Sequence, residues 1–355
     1  MKTNSRSILI NLSLIFASIL FALFLSEIAL RLIGFKPLYV SPERDRFWKY
    51  DSLLGWVHQP GQEGIFETPQ FRTVVRINET GLRDRQRLYK RQGNGERIMV
   101  LGDSFAWGYG VEESERFSQL LEKSLEVEVI NAGVSGYSTD QELLWYKNEG
   151  IKYDTDLVIL VIAGNDVGDN EQQLVSTIYY KPRFVLENDQ LVLTGSPVPE
   201  TTQQGKIIYS LSQRSSLAFF LVQRYFDLRS LFGKTKSNSD HVTLPISGDT
   251  VAKEPFKLTI AIIDEIKNIA ESRKAKFMIV TTERWWNYAS EETYKDFLTA
   301  LRRKGFLVLD VESMPGFDPE EMIIPNDGHW NQSGHNFVSQ KIKSFIETHQ
   351  LLRLH

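Results

Sequence analysis

The chain has 355 residues, 42% hydrophobic and 24% charged, with a formal net charge of −4; this is the balance of a globular protein able to bury one large core or two modest ones. There is no basic surplus to attract phosphate backbones, which argues against nucleic acid as a partner. The lack of cysteine excludes a disulfide framework, a thiolate metal site and a cysteine nucleophile, and leaves the compartment open.

Residues 7–26 carry no charge and are rich in Leu, Ile, Phe and Ala. About 20 such residues span a bilayer core as a helix. Each Leu, Ile or Phe contributes roughly −0.3 to −0.6 kcal/mol to insertion, which outweighs Asn11 and the serines. The apolar pattern runs on through Glu27 and Arg31, an i,i+4 pair, without a small-x-small cleavage site, so a retained anchor over residues 1–34 is favoured over a cleaved signal peptide. Lys2 and Arg6 on one side face Arg31, Lys36, Arg44, Arg46 and Lys49 on the other, so charge counting does not set the orientation.

Residues 35–95 are rich in turn residues, with a strand-like Val74-Val75-Arg76-Ile77-Asn78 ending at Gly81, and read as a juxtamembrane arm with short strands. From residue 96 to 355, short apolar runs alternate with amphipathic segments, the pattern of a parallel sheet with helices on both faces. Strands are expected at 98–101, 127–130, 157–162, 277–280 and 306–309. Helices are expected near 117–125, 140–148 and 294–303, with a closing helix lined by Val338, Ile342, Phe345 and Ile346. The alternation breaks at about 171–251, which marks an insertion. Within it, Asn188-Asp189 between two apolar runs suggests a hairpin. Residues 207–232 form one helical stretch that could pack on the main domain, cover the site as a lid or lie on a membrane. Residues 234–253 are polar.

In an open parallel sheet, ligands bind beyond the carboxyl ends of the strands. Ser104 follows the first strand, residues 133–136 the second, and Asn165 and Asp166 the third; Asp327 and His329 lie between the fifth strand and the last helix, which Asn331 could cap. A serine hydroxyl needs a histidine to take its proton and a carboxylate to hold that histidine. Ser104, His329 and Asp327 supply all three. Two positions apart in an extended segment, Asp327 and His329 would project to the same side. The backbone N–H groups of Ser104 and Gly136 and the side-chain amide of Asn165 are candidate oxyanion donors. Asp103 and Asp166 read as turn stabilisers. Trp285, Trp286, Tyr288 and Trp330 could stack on a sugar, although packing or lid contacts are favoured.

The runs Gly102-Asp103-Ser104, Asn131-Ala132-Gly133-Val134-Ser135-Gly136 and Asn165-Asp166 resemble the blocks of the SGNH/GDSL hydrolase superfamily, over roughly residues 97–351. The resemblance implies a flavodoxin-like three-layer α/β/α fold with a central parallel sheet. It also implies Ser104 as nucleophile, Gly136 and Asn165 as oxyanion-hole donors and His329 as base. Two positions depart from the pattern. Ala163 stands for the glycine that opens the third block, and Asp327-Gly328-His329 replaces Asp-x-x-His, with Asn326 where the aspartate would stand. The shortened form, followed by Trp330, looks like a variant of membrane-linked members that modify bacterial polysaccharides. The anchor, the Glu27-Ile28-Ala29-Leu30-Arg31 exit, and Asn78 with Gly81-Leu82-Arg83-Asp84 look like anchored bacterial members, which implies a single-pass protein with an extracytoplasmic catalytic domain.

Other signals fail. Gly233-Lys234-Thr235 lacks the first phosphate-loop glycine, no His-Glu-x-x-His pair exists among six histidines, and Tyr137 stands where a Gly-x-Ser-x-Gly elbow needs its last glycine. No cofactor or metal is expected. The leading expectation is an esterase acting on acyl, foremost acetyl, esters of envelope or exported carbohydrate. The alternatives are an O-acyltransferase using the same serine, or an inert polysaccharide-binding scaffold. Oligomeric state is not legible.

Overall fold

The computed structural model describes residues 5–175, 179–232, 256–283 and 291–353. They form two compact units: one built from residues 5–40 and 201–232, the other from the remaining described residues. The expected insertion is thus divided, with residues 171–200 folding with the sheet and 201–232 with the N-terminal helix.

In the first unit a single helix covers Ser5–Leu32. Its stretch Ile8–Leu32 holds an 18-residue window of mean hydropathy 2.6, none of which is buried. Ser18 and Ser26 return their hydroxyls to the carbonyls four residues back, at 2.8 and 2.9 Å, which satisfies them without water. The expected single helix over 207–232 is in fact two, Gln203–Arg214 and Ser216–Phe232. The break falls at Ser215, an extended residue at φ −130 and ψ 123.

The second unit centres on a five-stranded sheet: β1 (Arg97–Leu101), β2 (Glu128–Asn131), β3 (Leu157–Ile162), β4 (Lys276–Thr281) and β5 (Val308–Asp310). Their order is β2-β1-β3-β4-β5, with every neighbouring pair parallel. This is the flavodoxin-like order, whose reversal beside β1 opens a crevice at the carboxyl ends of β1 and β3. Alternate residues feed two cores. Met99, Leu101, Val158, Leu160, Phe277 and Ile279 face the helices Thr139–Asn148, Lys257–Ser272 and Glu291–Arg303. Ile98, Val100, Leu157, Ile159, Met278 and Val280 face Phe117–Leu125 and Gln332–Thr348. The unbroken aliphatic run of β3 follows from burial on both faces.

Residues 41–84 form two antiparallel hairpins, Trp48–Asp51 with Gly55–His58 and Glu63–Glu67 with Arg72–Arg76. Their Phe47, Trp48, Trp56, Phe66 and Val75 join the same core as Trp107. The stretch read as an arm thus packs its apolar residues into the sheet domain. A third hairpin, Arg183–Glu187 with Gln190–Thr194, turns through Asn188 and Asp189 at φ 51 and 61, as those turn residues favour.

Candidate active site

Gly102 follows β1, and Ser104 opens the short helix Ser104–Trp107, capped by Asp103 Oδ1 accepting the Phe105 N–H at 2.9 Å. The turn is held against the β2 block. Asn131 Nδ2 donates to the Ala106 carbonyl at 2.7 Å, and its Oδ1 accepts the Gly133 N–H at 3.0 Å. A Cβ on Gly133 would sit 2.5 Å from the Trp107 nitrogen, so only glycine lets the two strand ends approach this closely.

His329 Nε2 lies 2.7 Å from Ser104 Oγ, and its Nδ1 lies 2.6 Å from Asp327 Oδ1. Asp327 Oδ1 also accepts the His329 backbone N–H at 3.2 Å. The segment is a tight turn, not extended as the sequence suggested: Asp327 and Gly328 both donate to the Ile324 carbonyl, and Gly328 has φ 104. That turn explains the shortened spacing, because a single carboxylate oxygen can reach both nitrogens of a residue only two positions on. Asn326 is exposed, at φ 59.

The imidazole is flanked by rings from the serine turn. Tyr109 stacks at 4.3 Å and 30°, and Phe105 packs at 4.8 Å. Neither was singled out in the sequence. Behind them Arg83, fully buried, donates to the carbonyls of Trp107, Gly108 and Val111 and lies over the Trp107 ring at 4.3 Å. Arg116 bonds the Arg83 carbonyl, and Asp84 accepts the Asn131 N–H while binding Arg87 through two contacts of 2.8 and 3.0 Å. The Gly81-Leu82-Arg83-Asp84 run therefore braces the serine turn. His58 accepts from Trp107 Nε1 at 3.0 Å and contacts the Gly81 carbonyl at 2.9 Å, which fixes a neutral ring with its proton on Nδ1. Burial pushes His58 down to about 4.

Gly136 and Asn165 follow β2 and β3 on the same rim. Asn165 Nδ2 donates to Asp169 Oδ2 at 3.1 Å, and a Cβ on the exposed Gly136 would lie 3.5 Å from the Trp56 ring. Hydrogen bonds thus join Ser104, Asp327 and His329, while among the described residues none ties Gly136 or Asn165 to Ser104. Asp166 Oδ2 accepts the Ala163 N–H at 2.8 Å, a turn-stabilising contact like that of Asp103. Trp330 is fully buried with its indole N–H on Glu312 at 2.8 Å, so it packs and offers no face to a sugar. Trp285, Trp286, Tyr288 and residues 234–253 lie outside the described residues.

Beneath the serine turn lies a buried carboxyl cluster. Burial pushes Asp103 up to about 6 and holds Glu142 and Asp166 well above the ordinary carboxylate range, with mutual repulsion adding to it. Lys181 pairs with Asp140, both fully buried. Among the described residues no group of three His, Cys, Asp or Glu could hold a metal ion.

At the switch point of a doubly wound sheet, a serine, a histidine and an aspartate stand hydrogen-bonded in series, the layout that serine hydrolases use. The profile of the GDSL-like lipase/acylhydrolase family matches residues 100–337. The chain belongs to that family, has the SGNH α/β fold and is an ester-hydrolysing enzyme. Comparison with curated proteins finds no match. Similar solved structures include the psychrotrophic esterase EstA from Pseudoalteromonas sp., 11% identical, with 72% of this chain and 98% of that chain covered at a TM-score of 0.40. The lipase/acylhydrolase from Enterococcus faecalis is 13% identical, with 72% and 96% covered at 0.38. A GDSL-like lipase from Bacteroides thetaiotaomicron is 11% identical, with 72% and 89% covered at 0.35.

Proposed function

We propose that the protein is a membrane-anchored serine esterase that removes acyl groups, acetyl foremost, from carbohydrate of the cell envelope or an exported glycan. The observation that carries the chemistry is the 2.7 Å contact between His329 Nε2 and Ser104 Oγ, in series with the 2.6 Å contact from Nδ1 to Asp327. Ser104 Oγ attacks the ester carbonyl carbon as His329 Nε2 takes its proton. Asp327 holds the proton on Nδ1 and steadies the imidazolium. Collapse of the tetrahedral intermediate expels the alcohol, which leaves with the proton from Nε2. Water then attacks the acyl-enzyme with His329 again as base and releases the carboxylic acid. The N–H groups of Ser104 and Gly136 and the Asn165 amide, turned from Asp169, would donate to the oxyanion, each worth about 3 kcal/mol.

The anchor rests on the apolar Ile8–Leu32 helix, whose roughly 37 Å length exceeds the hydrocarbon core. Resemblance to anchored bacterial members supports placing the sheet domain outside the cytoplasm. The test is acetate release from an acetylated oligosaccharide by the full chain in detergent. The reading expects release that is lost in Ser104→Ala; acetyl transfer to an added glycan in excess of hydrolysis would replace it with acyl transfer, and a folded chain inert on every ester would replace it with a binding role. Alkylation of a Lys304→Cys chain in intact cells by a membrane-impermeant maleimide tests the orientation, and protection until lysis would reverse it.

A further inference from the structure

We infer that the helical pair Gln203–Arg214 and Ser216–Phe232 is an interfacial module that lies in the headgroup layer of the bilayer the N-terminal helix spans, on anionic lipid; the inference rests on that helix being a membrane anchor. Glu27 and Arg31 are the first charges after the uncharged residues 7–26, which at 1.5 Å per residue account for roughly 30 Å, the thickness of the hydrocarbon core. Both therefore stand where hydrocarbon gives way to headgroups.

Both grip the junction between the two helices. The Glu27 carboxylate accepts the N–H groups of Ser216 and Leu217 at 3.1 and 2.8 Å and the Ser215 hydroxyl at 2.8 Å, capping the second helix where its dipole is positive. Arg31 binds Glu27 at 2.6 Å and donates to the Arg214 carbonyl at 3.0 Å, at the negative end of the first helix. Ser216 Oγ donates to the Phe35 carbonyl at 2.8 Å, and the Phe35 ring packs on Phe219 and Phe220 at 5.8 and 5.7 Å. The pair is thus tied to the boundary of the span by hydrogen bonds from both of its helices.

Each helix then exposes an apolar stripe. Ile207, Ile208 and Leu211 are 59, 44 and 52% exposed, and Leu221, Tyr225 and Leu228, at i, i+4 and i+7, are 54, 57 and 53% exposed. In a soluble helix that stripe would face the core. The two helices carry Lys206, Arg214, Arg224 and Arg229 against the single acid Asp227, a surplus suited to anionic headgroups.

The lack of native cysteine permits a direct test. Full chains bearing one cysteine, Ile208→Cys, Leu221→Cys, Leu20→Cys or Lys304→Cys, are labelled with an environment-sensitive dye and placed in bilayers of phosphatidylcholine with a quarter phosphatidylglycerol, with and without acyl-chain bromine. Bromolipid is expected to quench the labels at positions 208 and 221 about twofold, that at 20 more strongly, and that at 304 not at all. Omitting phosphatidylglycerol should weaken quenching at 208 and 221 but not at 20; no change there would overturn the anionic preference. Quenching at 20 without quenching at 208 and 221 would overturn the inference and leave the anchor standing. No quenching at 20 would remove the anchor and the inference with it. Labels at 208 and 221 that are shielded from bromine yet crosslink between chains would assign the stripe to a second copy instead.

Discussion

His329 Nε2 is held 2.7 Å from Ser104 Oγ although 225 positions separate the two residues in the chain. The contact depends on Asp327, which binds both the ring and the backbone nitrogen of His329. Asp327→Asn keeps the shape but can turn the imidazole to the wrong tautomer. The expected loss is about 10³- to 10⁴-fold in kcat, measured on a p-nitrophenyl ester. Adding Asn326→Asp should restore little, because residue 326 is exposed while it is residue 327 whose side chain meets both the ring and the backbone nitrogen of His329; recovery of most activity would assign the carboxylate role to the usual spacing.

Tyr109 stacks on His329 at 4.3 Å and so fixes the plane in which Nε2 meets the serine. Tyr109→Ala should lower kcat about 10- to 100-fold, as small misplacement of a catalytic group does, with the fold intact by circular dichroism. Tyr109→Phe keeps the face and should retain most of the activity. Equal losses in the two variants would shift the importance from the ring to the hydroxyl.

Gly133→Ala places a methyl group 2.5 Å from a backbone nitrogen and 2.6 Å from the Ala106 carbonyl carbon, where no flexible side chain can yield. Destabilisation of roughly 1–3 kcal/mol or more is expected, read as a lower unfolding midpoint in denaturant. A midpoint within error of the parent chain would show that the turn has room to move.

Stability should carry two pH dependences of opposite sign. Asp103 is pushed up to about 6 by burial, so between its ordinary value near 3.8 and 6 the folded chain binds more protons than the unfolded one, and stability falls as pH rises through that window. Asp103→Asn keeps the acceptor for Phe105 and removes the titration. It should gain stability at pH 8 relative to the parent, on the order of 3 kcal/mol, and gain nothing at pH 3.5. His58 and His335 are pushed down by burial to about 4 and about 3, so their contribution is full above 6.5 and is lost as pH falls toward those values. Thermal unfolding across pH 3.5–8, with His58→Gln as comparison, checks the sign. A variant that differs from the parent by a constant amount at all pH values would remove the assignment.

Strongly periodic segments were legible because one physical term dominates them: β3 is aliphatic on both faces, and Val338, Ile342 and Ile346 of the closing helix are fully buried. The serine, histidine and aspartate that hydrogen-bond in series could be singled out in the sequence because nucleophilic chemistry calls for those types at strand ends. What sequence could not give was long-range packing. Tyr109 and His58 make contacts with residues fixed only by tertiary structure, and nothing in their spacing marks them; Arg83 stood out only within the Gly81-Leu82-Arg83-Asp84 run, without its contacts. The Asp327–His329 segment was misread as extended because alternation takes no account of a glycine at φ 104. The break at Ser215 was invisible because residues 207–232 keep an amphipathic pattern across it, and the carboxylate that caps the second helix lies nearly two hundred positions away.

The most direct measurement combines turnover of a short-chain p-nitrophenyl ester with mass spectrometry of the full chain after treatment with a fluorophosphonate. A single adduct on Ser104, formed in step with loss of turnover and absent along with turnover in Ser104→Ala, is the predicted result. Turnover that persists in Ser104→Ala, or an adduct on another residue that tracks the loss, would contradict the account.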